Sequence, residues 1–324
     1  MHVVRINSAS VKGAVFCMSV EQVVGRFAPS PTGPLHFGSL VAAVGSYCLA
    51  RQAGGRWLLR MEDLDTPRVV PGAADEILFA LEGLGLHWDG EIIWQSRRRE
   101  AYRAAVETLR DRGQVFDCAC SRKEILLSAP HPGEEGPVYP GTCRSGLPAG
   151  RKPRALRIIV PDRQVCFTDG VFGPVQQVLT EAVGDFVLRR ADGMFAYQLA
   201  VVVDDAASGV NQVVRGADLL SSTPRQIFLH ACLGNLIPDY VHLPLLTDRQ
   251  GQKISKRHGA VGFKPGVNSS ALIVRVLRLL GQAVPEKIEK SPPKEVLEWA
   301  WRNIDRKRIP AGHQGLVLND FPFN

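Results

Sequence analysis

The chain has 324 residues, of which 45% are hydrophobic and 22% are charged, a balance typical of a globular protein with a sizeable core. Its net charge of +7 favours an anionic partner, either a nucleic acid or a phosphorylated ligand. No apolar run is long enough to span a bilayer, and seven scattered cysteines argue against a secreted disulfide framework. We therefore expect a cytoplasmic protein that does not contact a membrane.

Strands and helices alternate in the first third of the chain, after an N-terminal extension. Residues 1–20 lack the compact apolar core of a signal peptide, and we interpret them as disordered or, if the true start is Met18, as absent. The predicted strands are 20–28, 56–61 and 92–95, and the predicted helices are 36–52, 71–84 and 97–112. This alternation favours a parallel α/β sheet.

The alternation stops at residue 114, where cysteine, proline and glycine become frequent up to residue 150. This segment predicts a small insert. Beyond it we predict strands at 154–161, 177–179, 186–190, 213–215 and 241–246, and helices at 197–205, 225–233, 269–280 and 293–303. Three consecutive valines leave a strand open as the alternative for 197–205. The predicted divisions are an extension (1–20), two halves of an α/β domain (21–113 and 151–260), the insert (114–150) and a C-terminal helical region (261–324).

The stretch from Arg26 to Leu40, RFAPSPTGPLHFGSL, joins the first predicted strand to the first predicted helix. Its three prolines and Gly33 make a stiff turn, and the helix begins near His36. Unpaired amides at a helix N-terminus suit a phosphate, and the small residues Gly38 and Ser39 let a ligand approach the backbone. The alternative is a proline-rich turn that carries a surface histidine.

A second stretch, Lys253-Ile254-Ser255-Lys256-Arg257, lies in a polar, glycine-bounded loop that follows a predicted strand. Two lysines three positions apart could close on a triphosphate and neutralise charge on a leaving pyrophosphate. Taken alone, the stretch favours a basic surface loop.

Together the two stretches resemble the HIGH and KMSKS signatures of the class I aminoacyl-tRNA synthetases. Three further blocks, MEDLDTPR (61–68), FAYQLAVVVDD (195–205) and VVRGADLL (213–220), resemble the glutamyl-tRNA synthetase group. The resemblance covers roughly residues 22–260 and implies a Rossmann-type, doubly wound parallel sheet. Ser39 stands where HIGH has its second histidine, so His36 alone would supply an imidazole.

The resemblance implies two overlapping sets of binding residues. The glutamate-binding set is Arg26, Phe27, Ala28, Pro29, Ser30, Glu62, Tyr197 and Arg215. The ATP-binding set is Pro29, His36, Gly38, Ser39, Lys253, Ser255 and Lys256, in which His36, Lys253 and Lys256 would be catalytic. Arginines suit the substrate carboxylates, a glutamate side chain suits the ammonium group, and Mg²⁺ would accompany the triphosphate. Ion pairing for the arginines, helix capping for Glu62 and core packing for Tyr197 are the alternatives.

Residues 258–324 are too few for the anticodon-binding domain that follows this loop in ordinary glutamyl-tRNA synthetases. In this respect the chain resembles the glutamyl-queuosine tRNA(Asp) synthetases. That branch uses ATP to activate glutamate and attaches it to queuosine at the wobble position of tRNA(Asp). The resemblance implies ATP, L-glutamate and queuosine-containing tRNA(Asp) as partners. We further expect a monomer whose C-terminal helices contact the stem of the tRNA.

Cys118, Cys120 and Cys143 are clustered among glycines and prolines and could form a tetrahedral zinc site with one further ligand. The queuosine branch has the pattern C-x-C…Y-x-x-x-C as a zinc site, which implies Tyr139 as the fourth ligand here. His131 is a rival for that position, and buried free thiols are the alternative without metal.

Three other functions remain open at this point. One is a truncated glutamyl-tRNA synthetase that charges the 3′ end of tRNA(Glu). Another is a catalytically idle, synthetase-like RNA-binding module, against which the intact His36, Lys253 and Lys256 argue. The last is a small-molecule nucleotidyltransferase with a related His-x-Gly fold, which the Arg215 block and the cysteine-containing insert disfavour.

Overall fold

The computed structural model describes residues 22–133, 136–245 and 268–312. The predicted N-terminal extension and the KISKR loop lie outside these residues. The strands are β1 (Val24–Phe27), β2 (Arg56–Met61), β3 (Ile93–Trp94), β4 (Val115–Cys118), β5 (Pro132–Gly133), β6 (Gly136–Pro137), β7 (Ala155–Ile158), β8 (Gln164–Asp169), β9 (Gly173–Val178), β10 (Val187–Arg189), β11 (Gln212–Gly216) and β12 (Asp239–Leu243). The helices are α1 (Phe37–Gln52), α2 (Ala73–Gly83), α3 (Arg99–Asp111), α4 (Arg122–Ser128), α5 (Leu179–Ala182), α6 (Tyr197–Ala207), α7 (Thr223–Leu233), α8 (Ser269–Leu279), α9 (Glu286–Glu289) and α10 (Pro293–Asn303).

Parallel strands form the centre of the fold. β1 pairs with β2 and β2 with β3, while β11 pairs with β12, all in parallel. Asn211 connects the two groups, because its amide donates to the Val24 carbonyl at 3.1 Å and its side-chain oxygen accepts from the Val24 amide at 2.8 Å. The start of β11 therefore lies beside β1, and the carboxyl ends of the parallel strands point the same way.

Both faces of this sheet pack against other parts of the protein, as alternate residues of β2 show. In β2, Trp57, Leu59 and Met61 belong to the largest apolar cluster, whereas Leu58 belongs to a different cluster. Successive side chains of a strand point to opposite faces, so a continuous apolar strand of this kind needs packing on both sides. The largest cluster also contains residues of α1, α2, α8 and α10, and Ile227 of α7 packs with Leu58 on the other side.

The other strands are antiparallel, so the sheets of the protein are mixed. β7 lies between β4 and β10, and β8 forms a hairpin with β9. β4 lies inside the predicted insert (114–150), but it pairs with β7, which lies outside it. The domain boundaries stay a prediction.

Most predicted elements are confirmed with small shifts at their ends, but several short elements were missed, namely β4, α4, β5, β6, β8, α5 and α9. The segment predicted as a small insert, without helices or strands, begins with regular structure, because β4 is followed by α4. A capping box joins Ser121 and Glu124 at the start of α4. β8 was missed because only Val165 and Phe167 alternate with its exposed residues, and two apolar positions are too few to identify a strand. The four-residue α9 was also missed. The 197–205 segment is a helix, with Val201 and Val202 buried.

α1 lies unusually close to β12 at Gly45. A Cβ atom at this position would lie 2.6 Å from Leu243 Cδ1, which is shorter than real carbon contacts. Glycine therefore lets the helix approach the strand, although it costs some helix stability. Among the described residues, no helix is both long and apolar enough to cross a membrane.

Candidate active site and metal centre

A cavity of about 440 Å³ opens at the carboxyl ends of β1, β2, β11 and β12. This is the edge at which open α/β sheets bind their ligands, and the volume suits a small-molecule substrate. The predicted site residues that line the cavity are Arg26, Phe27, Ala28, Pro29, Ser30, His36, Gly38, Ser39, Glu62, Tyr197 and Arg215. The structure thus brings together all the predicted glutamate-binding and ATP-binding residues that it describes. Lys253, Ser255 and Lys256 lie outside the described residues, and their roles stay predictions.

His36 is the N-cap of α1, with extended backbone angles and a side chain that accepts from the Ser39 amide. The Ser39 amide lies 3.2 Å from His36 Nδ1, and Ser39 Oγ lies 3.0 Å from His36 Nε2. Because Nδ1 accepts, the neutral ring carries its proton on Nε2. A Cβ at Gly38 would lie 3.2 Å from the imidazole, so the small residue leaves room for this ring position.

The loop before α1 is tied to β2 by backbone hydrogen bonds. The Glu62 amide donates to the Pro29 carbonyl at 2.9 Å, and the Val70 amide donates to the Pro31 carbonyl at the same distance. These bonds hold the proline-rich loop against the end of β2 and place Glu62 at the wall of the cavity.

Asp205 of α6 connects the two arginines beneath this wall. Its Oδ1 accepts from Arg26 Nε at 3.2 Å and from Arg60 Nη1 at 2.5 Å. Arg60 Nη2 in turn donates to Glu62 Oε1 at 3.2 Å. Burial raises the pKa of Glu62, and the charges of Arg60 and Arg26 offset that rise only in part. Arg26 is therefore an ion-pair partner and a cavity residue at the same time.

Arg215 lies at the end of β11 on the opposite side of the cavity. Its Nε donates to His242 Nε2 at 3.1 Å, and its Nη2 donates to Thr223 Oγ1 at 2.8 Å. The remaining nitrogen, Nη1, is buried and has no hydrogen-bond partner among the described residues. Two arginines and a carboxylate that line one cavity can bind a small molecule with carboxylate and ammonium groups.

Tyr197 stands at the start of α6 and lines the same cavity. Burial raises the pKa of its hydroxyl, so the phenol stays neutral and can donate a hydrogen bond at physiological pH. Asp63, Asp65 and Arg68 of the MEDLDTPR block contact other protein groups. Asp63 accepts from the amide and hydroxyl of Ser96, and Asp65 pairs with Arg68.

Three cysteines of the insert meet Tyr139 away from the cavity. The sulfur atoms of Cys118, Cys120 and Cys143 lie within 4.8 Å of one another. Tyr139 Oη lies 3.4 Å from Cys118 Sγ and 3.7 Å from Cys120 Sγ, and the Cys120 and Cys143 sulfurs are 3.6 Å apart. A tetrahedral zinc with ordinary bond lengths separates two sulfurs by about 3.8 Å and a sulfur and an oxygen by about 3.5 Å.

Neighbouring groups donate hydrogen bonds to the atoms of this cluster. Burial raises the pKa of Cys120 to about 11, so without a nearby positive charge its thiol stays protonated. Tyr139 Oη accepts from the Cys143 amide at 2.9 Å, and Arg157 Nε donates to Cys118 Sγ at 3.4 Å. His131, the predicted rival ligand, is exposed and lies against the Pro132 carbonyl. The residues present therefore fit a metal ion with three thiolates and the Tyr139 oxygen as ligands.

Sequence reasoning missed the polar residues behind the cavity, namely Arg60, Asp169, Asp205, Thr223 and His242. Asp205 stands inside the quoted FAYQLAVVVDD block, where a pair of acids in an apolar helix was a usable signal. No comparable signal pointed to Asp169, because it ends a strand that the apolar pattern did not reveal.

Comparison with known protein families identifies the family of this chain. The model of the family "tRNA synthetases class I (E and Q), catalytic domain" matches residues 22–298. This chain belongs to that family. The match covers most of the described residues, including every strand and helices α1 to α9.

The curated relatives cover nearly all of the chain. It is 56% identical to the glutamyl-Q tRNA(Asp) synthetase of Dechloromonas aromatica over 91% of this chain and 97% of that protein. It is 55% identical to the protein of the same name from Geobacter sulfurreducens, over 89% and 94% of the two chains.

Solved structures of this class I synthetase family show the same fold at lower identity. The glutamate-tRNA synthetase of Elizabethkingia anophelis superposes with a TM-score of 0.76 and 26% identity, over 92% of this chain and 69% of that one. The glutamate tRNA ligase of Elizabethkingia meningosepticum, solved in complex with its amino acid, gives a TM-score of 0.75 at the same identity.

Proposed function

We propose that this class I synthetase activates glutamate with ATP and transfers it to queuosine in tRNA(Asp). The observation that carries the proposal is the cavity itself, in which Arg26, Arg215 and Glu62 lie beside a histidine-capped helix N-terminus. The names of the most similar curated relatives support the choice of tRNA(Asp). A synthetase that charges tRNA(Glu) at the 3′ end is the alternative outcome of the test below.

In the proposed reaction, a glutamate carboxylate attacks the α-phosphorus of ATP, and pyrophosphate leaves. Arg26 and Arg215 bind the carboxylates, and Glu62 attracts the ammonium group. The N-terminus of α1 and His36 bind the phosphates, with Mg²⁺ on the triphosphate. Lys256, helped by Lys253, stabilises charge on the leaving group. Since no protein nucleophile is required, catalysis consists of positioning and electrostatic stabilisation.

We further propose that the cluster of Cys118, Cys120, Tyr139 and Cys143 holds one structural zinc ion. The fit of the sulfur and oxygen separations to a tetrahedral site supports this assignment. Such an ion would fix the end of β4 relative to the loop that carries Tyr139. The two predicted C-terminal helices, α8 and α10, and the basic run at residues 144–163 are our candidates for contacts with the tRNA stem. A cytoplasmic, monomeric enzyme stays our prediction.

The test measures transfer of labelled glutamate to purified tRNA(Asp) with and without queuosine, and to tRNA(Glu). We expect label only on queuosine-containing tRNA(Asp), and we expect it to survive removal of the 3′-terminal adenosine. Label on tRNA(Glu) that is lost with the terminal adenosine would replace our proposal with the alternative. Absence of label on every tRNA would refute both.

The activation step is tested separately by exchange of labelled pyrophosphate into ATP in the presence of glutamate and the absence of tRNA. Lys256→Ala should abolish most of this exchange, because charge on the leaving pyrophosphate is no longer neutralised. Lys294→Ala, on the exposed surface of α10, is the matched control and should exchange at the wild-type rate. Equal rates in both variants would remove Lys256 from the mechanism.

A further inference from the structure

Behind Arg215, a chain of buried polar groups leads away from the cavity into the core. Arg215 Nε donates to His242 Nε2 at 3.1 Å, and His242 Nδ1 lies 2.7 Å from Asp169 Oδ2. His242 comes from β12 and Asp169 from the end of β8, so three separate strands meet in this chain. Neither His242 nor Asp169 lines the cavity, and neither belongs to a motif that the sequence analysis identified.

The arginine fixes the tautomer of His242. An arginine side chain has donors and no acceptor, so His242 Nε2 must accept, and the proton of the neutral ring lies on Nδ1. Nδ1 then donates to Asp169, whose Oδ1 also accepts from the amides of Val171 and Phe172, each at 2.9 Å. Each member of the chain therefore determines the orientation of the next one.

The ionisation states favour the same arrangement. Burial lowers the pKa of His242 more than Asp169 raises it, so the ring stays neutral near pH 7. Burial alone would raise the pKa of Asp169, but the hydrogen bonds from His242 and the two amides outweigh it, and the net shift is downward. Asp169 is therefore a carboxylate, and His242 Nε2 remains an acceptor.

This arrangement limits what Arg215 can do. Nε is held by His242, while Nη2 donates to Thr223 Oγ1 at 2.8 Å and to the Leu219 carbonyl at 3.3 Å. The guanidinium plane is thereby fixed from two sides, and Nη1 is left without a partner among the described residues. We propose that Asp169 and His242 are positioning residues that hold the Arg215 guanidinium at the cavity wall, where it binds a carboxylate of the substrate. This inference rests on the proposed glutamate site.

Two substitutions of His242 separate positioning from simple packing. His242→Gln places an amide oxygen near the Nε2 position, which keeps the acceptor for Arg215 and loses the contact with Asp169. His242→Asn places its amide near the Nδ1 position, which keeps a donor for Asp169 and loses the acceptor for Arg215. His242→Gln loses the buried contact with Asp169, and His242→Asn loses the contacts of Nε2 with Arg215 and Thr223, so loss of stability is common to both and a difference in glutamate affinity is not.

The measurement is the KM for glutamate and for ATP in pyrophosphate exchange. We expect His242→Asn to raise the KM for glutamate about tenfold or more, which matches the loss of one hydrogen bond between charged groups. His242→Gln should stay within about threefold of the wild type, and the KM for ATP should be nearly unchanged in both. An equal rise in both variants, no rise in either, or a parallel rise in the KM for ATP would overturn the inference.

Nuclear magnetic resonance of the imidazole nitrogens supplies a readout that does not depend on activity. We expect His242 to be neutral with its proton on Nδ1 in the wild-type protein at about pH 7 and above. A proton on Nε2 would exclude the acceptor role, whatever the enzyme does. If the wild type fails to exchange pyrophosphate with glutamate while the predicted tautomer is found, the proposed function fails and the positioning of Arg215 stands.

Discussion

Replacing Asp205 with asparagine removes the negative charge that holds Arg26 and Arg60 in the core. The side chain of Asp205 is 4% exposed, and those of Arg26 and Arg60 are 4% and 1% exposed. Asparagine keeps the shape and one accepting oxygen, so the substitution tests the charge and leaves the packing nearly unchanged. Arg60 retains its contact with Glu62, whereas Arg26 loses its carboxylate partner.

The size of the effect follows from the burial of the three groups. Breaking a buried ion pair by removing one partner costs about 3–5 kcal/mol, because the other charge stays buried without compensation. Unfolding entropy of about 2.1 cal/mol/K per residue gives about 0.7 kcal/mol/K for a chain of this length, so Tm should fall by about 4–7 °C. Glu286→Gln breaks the exposed pair with Lys290 and should leave Tm unchanged.

The pH dependence supplies an independent check on Asp205. Burial alone would raise its pKa, but Arg26 and Arg60 outweigh burial and hold the pKa below its ordinary value. The carboxylate therefore stabilises the fold fully above its unfolded pKa, near 3.9, and loses that contribution as the pH falls through the lower folded pKa.

Calorimetry or denaturant unfolding of wild type and Asp205→Asn at several pH values measures both effects. The difference in unfolding free energy should be constant between about pH 6 and pH 8 and should shrink below about pH 4. A loss below about 1 kcal/mol, or a difference that grows as the pH falls, would refute the reasoning, since either result means that the arginines do not depend on this charge.

Three further predictions concern the metal cluster and the cavity. Cys143→Ser should lose about one equivalent of zinc by elemental analysis, whereas His131→Ala should keep it; retention by the first variant would exclude the proposed ligand set. Gly38→Ala should raise the KM for ATP several-fold with little change in Tm, because the Cβ of the alanine would lie 3.2 Å from the His36 ring. An unchanged KM would mean that this position of the His36 ring is unimportant for ATP binding. The KM of the wild type for glutamate should rise as the pH falls through the raised pKa of Glu62, because protonation of Glu62 removes its attraction for the ammonium group. Glu62→Gln should have a high KM for glutamate that does not depend on pH.

The sequence was informative wherever a residue's own chemistry or a periodic pattern carried the signal. The prolines around Pro31 predicted the turn before α1, and the apolar run of β2 predicted a buried strand. The cavity residues from Arg26 to Arg215 were found through blocks that resemble a known family, and the structure brings the described ones together.

The features that the sequence did not reveal depend on contacts between distant segments of the chain. β8 carries only two alternating apolar residues because its hairpin is largely exposed, and Asp169 at its end contacts His242 across 73 positions in the chain. Arg60 has no local feature that separates a buried arginine from an exposed one. Its burial becomes understandable only when α6 brings Asp205 within 2.5 Å.

The close approach of α1 to β12 offers a way to redesign the cavity without touching a polar group. Leu243, whose side chain would meet a Cβ at position 45, is itself part of the cavity wall. A larger residue at position 45 would push that leucine, and with it the end of β12, relative to the helix that begins at His36. The width of the cavity can thus be adjusted from the buried middle of a helix, by a residue that does not line the cavity.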